Sequence, residues 1–397
     1  MKTYDYLIMG SGIAGVTAAK EIRKKDKEGS ILLLGNEKER PYFRIELTAC
    51  LSEENPAIPY LDKEDWAEKL NIDTNFDAEV SAVDFDAMTV TTEKGDSYQG
   101  EKILLANGSH ANLPPFNNRE VKGVFTLRSW ADLMEIESYL NATEGEKRIG
   151  VIGGGLLGLE AARSLQKRGN LVAIVDMEEY LLSKQLDREL GMSLNEEMKD
   201  HGFMVYTDRS TKGFIGDDHL TGIEFDDGTV VDLDMVLVSI GVRPNTALFT
   251  DTGLEVNRGV VVDRSLKTNK EKVWAAGDVA EVEGRCMGIW PAARAMGKAA
   301  GANMAGGNMS YEDPKVHTKL DLGTIQIFSV GIIGEGNVYF YDDGPAHHRL
   351  YEKDGKVVGV ILYGDTKAMN TYRKLVEEGA PIEEALSAFY EFNKVNA

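Results

Sequence analysis

The chain has 397 residues, more than one hydrophobic core ordinarily organises, so two or three domains are expected. Forty-four Lys and Arg stand against sixty-five Asp and Glu, a formal charge of -21, which argues against nucleic acid or an anionic membrane as the main partner. No apolar run is long enough to span a bilayer, and the two cysteines, Cys50 and Cys286, lie in no C-x-x-C and no Cys/His cluster, so neither a disulfide framework nor a metal site is expected.

The N-terminal stretch MKTYDYLIMGSGIAG ends its short apolar run in glycines rather than in a small-residue cleavage site, which leads us to expect a cytoplasmic chain. Residues 5–37 read as strand, glycine turn, helix and strand. In Gly10-x-Gly12-x-x-Gly15, with Ile13 and Ala14 inside the loop, each glycine has its own reason. The first permits a tight turn, the second lets the backbone approach a pyrophosphate, and the third lets the helix pack on the strand. The helix N-terminus then offers free N–H groups and a positive dipole end to phosphates. Glu37 follows Gly15 by 22 residues, where a carboxylate accepts hydrogen bonds from a ribose diol; Glu39 is a rival for that role. The helix ends in KEIRKKDK, a basic patch suited either to docking an acidic partner or simply to the helix dipole. RPYFRIEL then sets Arg44 beside two aromatics.

The next segment, AEVSAVDFDAMTVTTEKGDSYQGEKILLANGS, contains Val80 near its start. It alternates apolar and polar residues and closes in an apolar strand before Asn107 and Gly108. Residues 148–176 repeat the opening unit, with Gly153-Gly154-Gly155-x-x-Gly158, Leu156 inside the loop, and a closing Asp176. Met177, Glu178 and Glu179 come next, and the nearest downstream cation, Lys184, is distant. A 2′-phosphate would be repelled and would find no arginine, so NADH is expected rather than NADPH. Glu160 interrupts an otherwise apolar helix face two residues past Gly158. A second alternating segment ends at VSIGVRPN with Gly241, and VWAAGDVAEV carries Gly277 and Asp278. A helix beginning near Trp290 follows. Beyond residue 312 the pattern changes to antiparallel strands with tight turns and two closing helices, a small third domain.

The order of these motifs resembles the two-dinucleotide-domain flavoprotein reductases, the pyridine nucleotide–disulfide oxidoreductase superfamily. The resemblance covers some 300 residues. It implies an α/β fold with two Rossmann-like dinucleotide-binding domains and a small C-terminal α+β domain. The FAD domain would be discontinuous, residues 1–111 and 242–311, around an NAD domain at 112–241, with 312–397 as the third. FAD would rest on Gly10, Gly12, Ile13, Ala14, Gly15 and Glu37, with Val80, Asn107, Gly108, Gly277 and Asp278 as further contacts. NADH would rest on Gly153, Gly155, Leu156, Gly158 and Asp176, with Gly241 at the crossover out. A glutamate at the place of Glu160 orients the nicotinamide in this family, which implies a catalytic role here; the plainer reading is a favourable acid near a helix start. RPYFRIEL is similar to the P-Y-x-R-P-x-L segment of rubredoxin reductases and dioxygenase ferredoxin reductases. There the arginine lies against the flavin; the alternative for Arg44 is a salt bridge with Glu46 or Glu39. Trp290 is a candidate stacking or electron-transfer contact, or a buried interdomain aromatic. Three departures stand out. Ile45 and Ala49 replace the family's second proline and a lysine, and Asp321 replaces a flavin-contacting lysine, with Lys319 two residues earlier.

The implied function is transfer of a hydride from NADH to FAD, then of single electrons to a small iron–sulfur protein such as rubredoxin or ferredoxin. Disulfide reduction lacks its cysteine pair. A single-cysteine NADH oxidase or peroxidase would use Cys50, which lies six residues past Arg44 and is expected inside a helix, away from the ring. Cys286 is expected to be buried and inert. A non-enzymatic flavin redox sensor is the third reading, and the intact second glycine loop weighs against it. Monomer and homodimer both remain open.

Overall fold

The computed structural model describes residues 1–142 and 145–395. Its first sheet grows from the strand Lys2–Met9, flanked in parallel by Ile31–Leu34 and Ser97–Leu105. Asp73–Asn75 extends one edge, and Val273–Ala275 pairs with the end of Ser97–Leu105. Ile31–Leu34 is buried at every position, the signature of a parallel strand covered on both faces. The helices Ile13–Lys25 and Trp290–Met304 pack closely against each other through glycines. A Cβ on Gly297 would stand 2.3 Å from the Ala14 carbonyl oxygen, and one on Gly301 would stand 2.5 Å from that of Ala18. The start of Ser97–Leu105 pairs antiparallel with Thr89–Thr92, which pairs with Val80–Asp84. One long strand thus serves both a parallel sheet and a meander.

The second sheet repeats this plan. Met204–Tyr206, Leu171–Val175, Arg148–Ile152, Met235–Val238 and Val124–Thr126 run parallel in that order. A three-stranded meander, Thr211–Ile215, Gly222–Phe225 and Val230–Asp232, accompanies it. The helix Trp130–Asn141 opens on a capping box between Ser129 and Asp132, and Arg188–Asp200 opens on the Asp187 side chain.

The chain leaves the first unit along Ser109–Ala111 and returns along Val242–Pro244, and these two short strands pair antiparallel. Beside them Asn107 Nδ2 donates to the Asn245 carbonyl at 2.8 Å, and Asn245 Nδ2 donates to the Asn107 carbonyl at 2.8 Å. The C-terminal part is a five-stranded antiparallel sheet, followed by the helices Met369–Glu378 and Ile382–Val395. Its Leu320, Leu322, Ile327 and Tyr363 share one apolar core with Leu47, Leu51 and Leu159. Polar contacts reinforce that seat: Tyr351 donates to Asp187 at 2.7 Å, and the buried Arg349 lies 3.4 Å from Glu189. No helix among the described residues is long and apolar enough to cross a membrane.

Candidate functional site: two glycine loops and the seam between them

The two loops superpose in their logic. Gly10 and Gly153 have φ of +115° and +121°, where L side chains are strained. Added Cβ atoms there would lie 2.1 Å from the Ala106 carbonyl oxygen and 2.3 Å from that of Ser239. On Gly15 and Gly158 an added Cβ would lie 1.9 Å from the carbonyl oxygen of Gly10 and Gly153 respectively. These four glycines are demanded by the protein itself. Gly12 and Gly155 are different. Each has ordinary φ and begins a helix with no side-chain cap, and an added Cβ at either would meet nothing within 4 Å. Internal packing gives no reason for glycine at either place, while a dinucleotide pyrophosphate lying against the helix start does. The residues present therefore fit two such groups.

Glu37 and Arg44 are brought together. The Arg44 guanidinium is hydrogen-bonded to the Glu37 carboxylate, and the Tyr42 hydroxyl donates to the same carboxylate at 2.6 Å. Arg44 Nη1 also donates to the Tyr42 oxygen at 3.0 Å and to the Arg128 carbonyl at 2.9 Å. The ion-pair alternative for Arg44 is thus realised with Glu37 and not with Glu46 or Glu39. Burial, with the Glu37 carboxylate alongside, pushes the Tyr42 phenol well above its usual range. Ser11, Gly12, Glu37, Glu39, Tyr42 and Arg44 line one recess at the first loop. Val80 is half-buried and opens its strand just beyond Ala78, whose N–H donates to the Gly35 carbonyl.

Arg128 was missed from the sequence. Its Nη2 lies 2.6 Å from Asp278 Oδ2 and 2.8 Å from Ser109 Oγ, and Ser109 Oγ is also 2.8 Å from Asp278. With its carbonyl on Arg44, it links three expected FAD contacts in one chain, Glu37, Arg44, Arg128 and Asp278. Nothing in the sequence marked it, because an isolated arginine after a strand carries no periodicity. Gly277 and Gly108 keep positive φ of +83° and +67°, and Gly241 has +93°. Trp290 is half-buried and stacked on Phe43, with ring centroids 6.2 Å apart, and Arg294 lies 5.8 Å from its ring.

At the second loop Asp176 accepts from the Gly154 N–H and, at 2.8 Å, from the Glu178 N–H. The carboxylate is thereby fixed against the loop. The fold brings an arginine there that the linear sequence did not offer: Arg209 N donates to the Asp176 carbonyl at 3.1 Å. Its guanidinium, however, is engaged with Asp227 at 3.3 Å. Glu160 is half-buried on the helix Leu156–Lys167 and accepts from Thr48 Oγ1 at 3.1 Å. Burial pushes its carboxyl up, opposed by the Thr48 hydrogen bond.

Other expectations fare differently. Lys319 and Asp321 are both exposed and flank the buried Leu320 on one strand. Most of KEIRKKDK serves the fold. Arg23 is 7% exposed and donates to the carbonyls of Leu70, Asp26, Gly29 and Asn71, Lys20 pairs with Asp62 at 2.6 Å, and Lys24 pairs with Glu21 at 3.0 Å. Cys50 ends the short helix Leu47–Cys50, and burial, with Glu53 and Glu46 nearby, pushes its thiol up. Cys286 is partly exposed rather than buried, and its thiol too is pushed up by burial.

The sequence profile of the pyridine nucleotide-disulphide oxidoreductase family matches residues 4–297, and that of the rubredoxin NAD+ reductase C-terminal domain matches residues 317–380. The chain is 31% identical to a nitrite reductase [NAD(P)H] of Bacillus subtilis, over 95% of its own length but 48% of the relative's. It therefore spans about half the length of that relative. It is 30% identical to a rubredoxin-NAD(+) reductase of Alcanivorax borkumensis, covering 91% of this chain and 95% of the relative. Among solved structures, the NADH:rubredoxin oxidoreductase of Clostridium acetobutylicum matches with a TM-score of 0.80 at 27% identity, covering 96% of each chain.

Proposed function

Because the chain belongs to the pyridine nucleotide-disulphide oxidoreductase family, we propose that it takes a hydride from NADH onto FAD and delivers electrons singly to a small iron–sulfur protein of the rubredoxin or ferredoxin kind. The observation that carries this reading is the pair of uncapped helix starts at Gly12 and Gly155, each with open space where a side chain would be. Two such starts in one chain call for two dinucleotides. The match of residues 317–380 to a rubredoxin reductase C-terminal domain supports the acceptor class.

In this reading residues 1–111 and 242–311 hold FAD, 112–241 hold NADH, and 312–397 close over the seam. Bound FAD supplies the change from two-electron to one-electron chemistry. The protein binds and orients. Gly10, Gly12, Ile13, Ala14 and Gly15 form the first cradle, and Glu37 serves the ribose. Arg44, Arg128 and Asp278, with Val80, Asn107, Gly108 and Gly277, line the rest. Gly153, Gly155, Leu156 and Gly158 form the second cradle, with Gly241 at its exit. Asp176 takes the adenosine ribose, and its carboxylate disfavours a 2′-phosphate. Glu160 orients the nicotinamide, and Trp290 with Phe43 walls the flavin edge. No side chain needs to move a proton for the hydride step.

Stopped-flow reduction by NADH, followed by reoxidation with rubredoxin, oxygen or peroxide in turn, tests the reading. Fast reoxidation by rubredoxin and slow turnover on the other two is expected. Cys50→Ser should keep every rate within about twofold, because a thiol whose pKa burial has raised is a poor nucleophile. Fast peroxide turnover that disappears in Cys50→Ser would instead make Cys50 the redox centre.

A further inference from the structure

We propose that Thr48 is a positioning residue: its hydroxyl holds the Glu160 carboxylate in place across the seam between the two dinucleotide-binding units. The inference rests on the assignment of Glu160 to the nicotinamide. Thr48 and Glu160 lie 112 positions apart, yet Thr48 Oγ1 donates to Glu160 Oε2 at 3.1 Å. Thr48 is 9% exposed and sits on the helix Leu47–Cys50, directly after the Arg44 segment. Around it the seam is apolar, with Leu47, Leu51 and Leu159 in one core. A hydroxyl in such a place must find a partner, and a carboxylate is the strongest acceptor on offer.

Among the described residues no other side chain is hydrogen-bonded to Glu160. Arg163 and Lys167 share the helix of Glu160, and Glu46 and Cys50 share the Arg44 segment, but the Glu160 carboxyl feels only burial and the Thr48 hydrogen bond. Arg163 donates to Gln166 at 2.7 Å, and Arg148 pairs with Asp234 and Asp232. No ion pair to Glu160 occurs among the described residues, and Ala49, next to Thr48, carries no charge. The Thr48 hydroxyl is therefore the side-chain donor that fixes this carboxylate. The β-branched threonine suits the task, since its χ1 is restricted before any partner arrives. The same bond ties the Arg44 segment to the second glycine loop, so the acid cannot shift without the seam shifting too.

The test is the NADH-driven flavin reduction of the holoenzyme, followed against pH in Thr48→Val, Thr48→Ser, Glu160→Gln and the Thr48→Val/Glu160→Gln pair. Thr48→Val is expected to lower the limiting rate about tenfold, as a misplaced orienting group does. The NADH concentration for half-saturation should stay within about twofold, because the adenosine end is held elsewhere. The acid limb of the rate profile should move to higher pH, because the carboxylate loses a donor that favours its charged form. Thr48→Ser should recover most of the rate, and Thr48→Val should add nothing in the Glu160→Gln background. A wild-type rate and profile in Thr48→Val, or additive losses in the double variant, would overturn the proposal. An unaffected Glu160→Gln would overturn the assignment of Glu160, and the proposal with it. A slow Glu160→Gln beside an unaffected Thr48→Val would remove Thr48 alone. Thr48→Ala, judged by the same criteria, replaces Thr48→Val if the latter does not retain flavin.

Discussion

Gly155→Ala is expected to weaken NADH binding by about 2–3 kcal/mol, roughly 30- to 150-fold, while leaving the protein folded and its flavin bound. The reason is the empty space. An added Cβ meets no protein atom within 4 Å, and the φ of -81° is ordinary for any L-residue. Exchanging glycine for alanine at an uncapped helix start changes stability by no more than about 1 kcal/mol, because the poorer cap is offset by a less flexible unfolded chain. In the proposed reading, what the methyl group meets is the NADH pyrophosphate. Gly158→Ala supplies the contrast, since its Cβ would lie 1.9 Å from the Gly153 carbonyl oxygen. Relieving that overlap requires the helix to move off the strand, which costs about 1–3 kcal/mol or more. Thermal unfolding and NADH titration of both variants separate the cases. Gly155→Ala with wild-type NADH affinity would mean that nothing approaches the backbone there.

The second large effect concerns Arg128. Arg128→Met removes the cation that lies 2.6 Å from Asp278, whose side chain is only 11% exposed. Breaking one side of so enclosed a pair typically costs about 3–5 kcal/mol, because the Asp278 charge stays buried with only the Ser109 hydroxyl to meet it. The lost guanidinium also removes one of the two partners of the Ser109 hydroxyl, leaving it on Asp278 alone. A markedly lower Tm and a protein purified with much less flavin are expected. Adding Asp278→Asn should recover part of the stability, since no uncompensated charge then remains, without recovering the flavin. An Arg128→Met protein with normal Tm and full flavin content would show that the Glu37-to-Asp278 chain is incidental.

Local chemistry was legible in the sequence, and long-range chemistry was not. The glycine loops announced themselves because Gly10, Gly15, Gly153 and Gly158 answer to backbone in the loop or the strand beside it, and Gly12 and Gly155 to the pyrophosphates proposed there. The doubly wound plan followed from the repeat of strand, loop, helix and strand. The third domain followed from the change to period-two alternation. Pairings between distant residues left no such trace. Arg44 and Glu37 were each picked out singly, but their meeting depends on how the Arg44 segment folds back over the first strand pair. Thr48 had no mark at all, since one threonine in a short helix is unremarkable until its neighbour 112 positions away is placed. Arg23 misled for a different reason. A cation in a basic run looks like surface, and nothing in the run shows that four loop carbonyls wait for it.

The reciprocal asparagines and paired strands at 109–111 and 242–244 make the segment between them a graft. It enters and leaves the host at one point, so the host's own sheet closes without it and tolerates its exchange. If this unit binds the reductant, as proposed, it could be swapped whole for another of the same outline, changing which reductant feeds the flavin. Such a chimera must reproduce the stitches outside the graft point, among them the Arg128 guanidinium on Asp278, the Arg128 carbonyl on Arg44, the Trp130 N–H on Tyr42, Glu160 on Thr48, and Asp187 and Glu189 on Tyr351 and Arg349. Beyond these, the C-terminal sheet must find the same apolar seat. Exchange of one unit with the other left untouched is what this single graft point makes cheap.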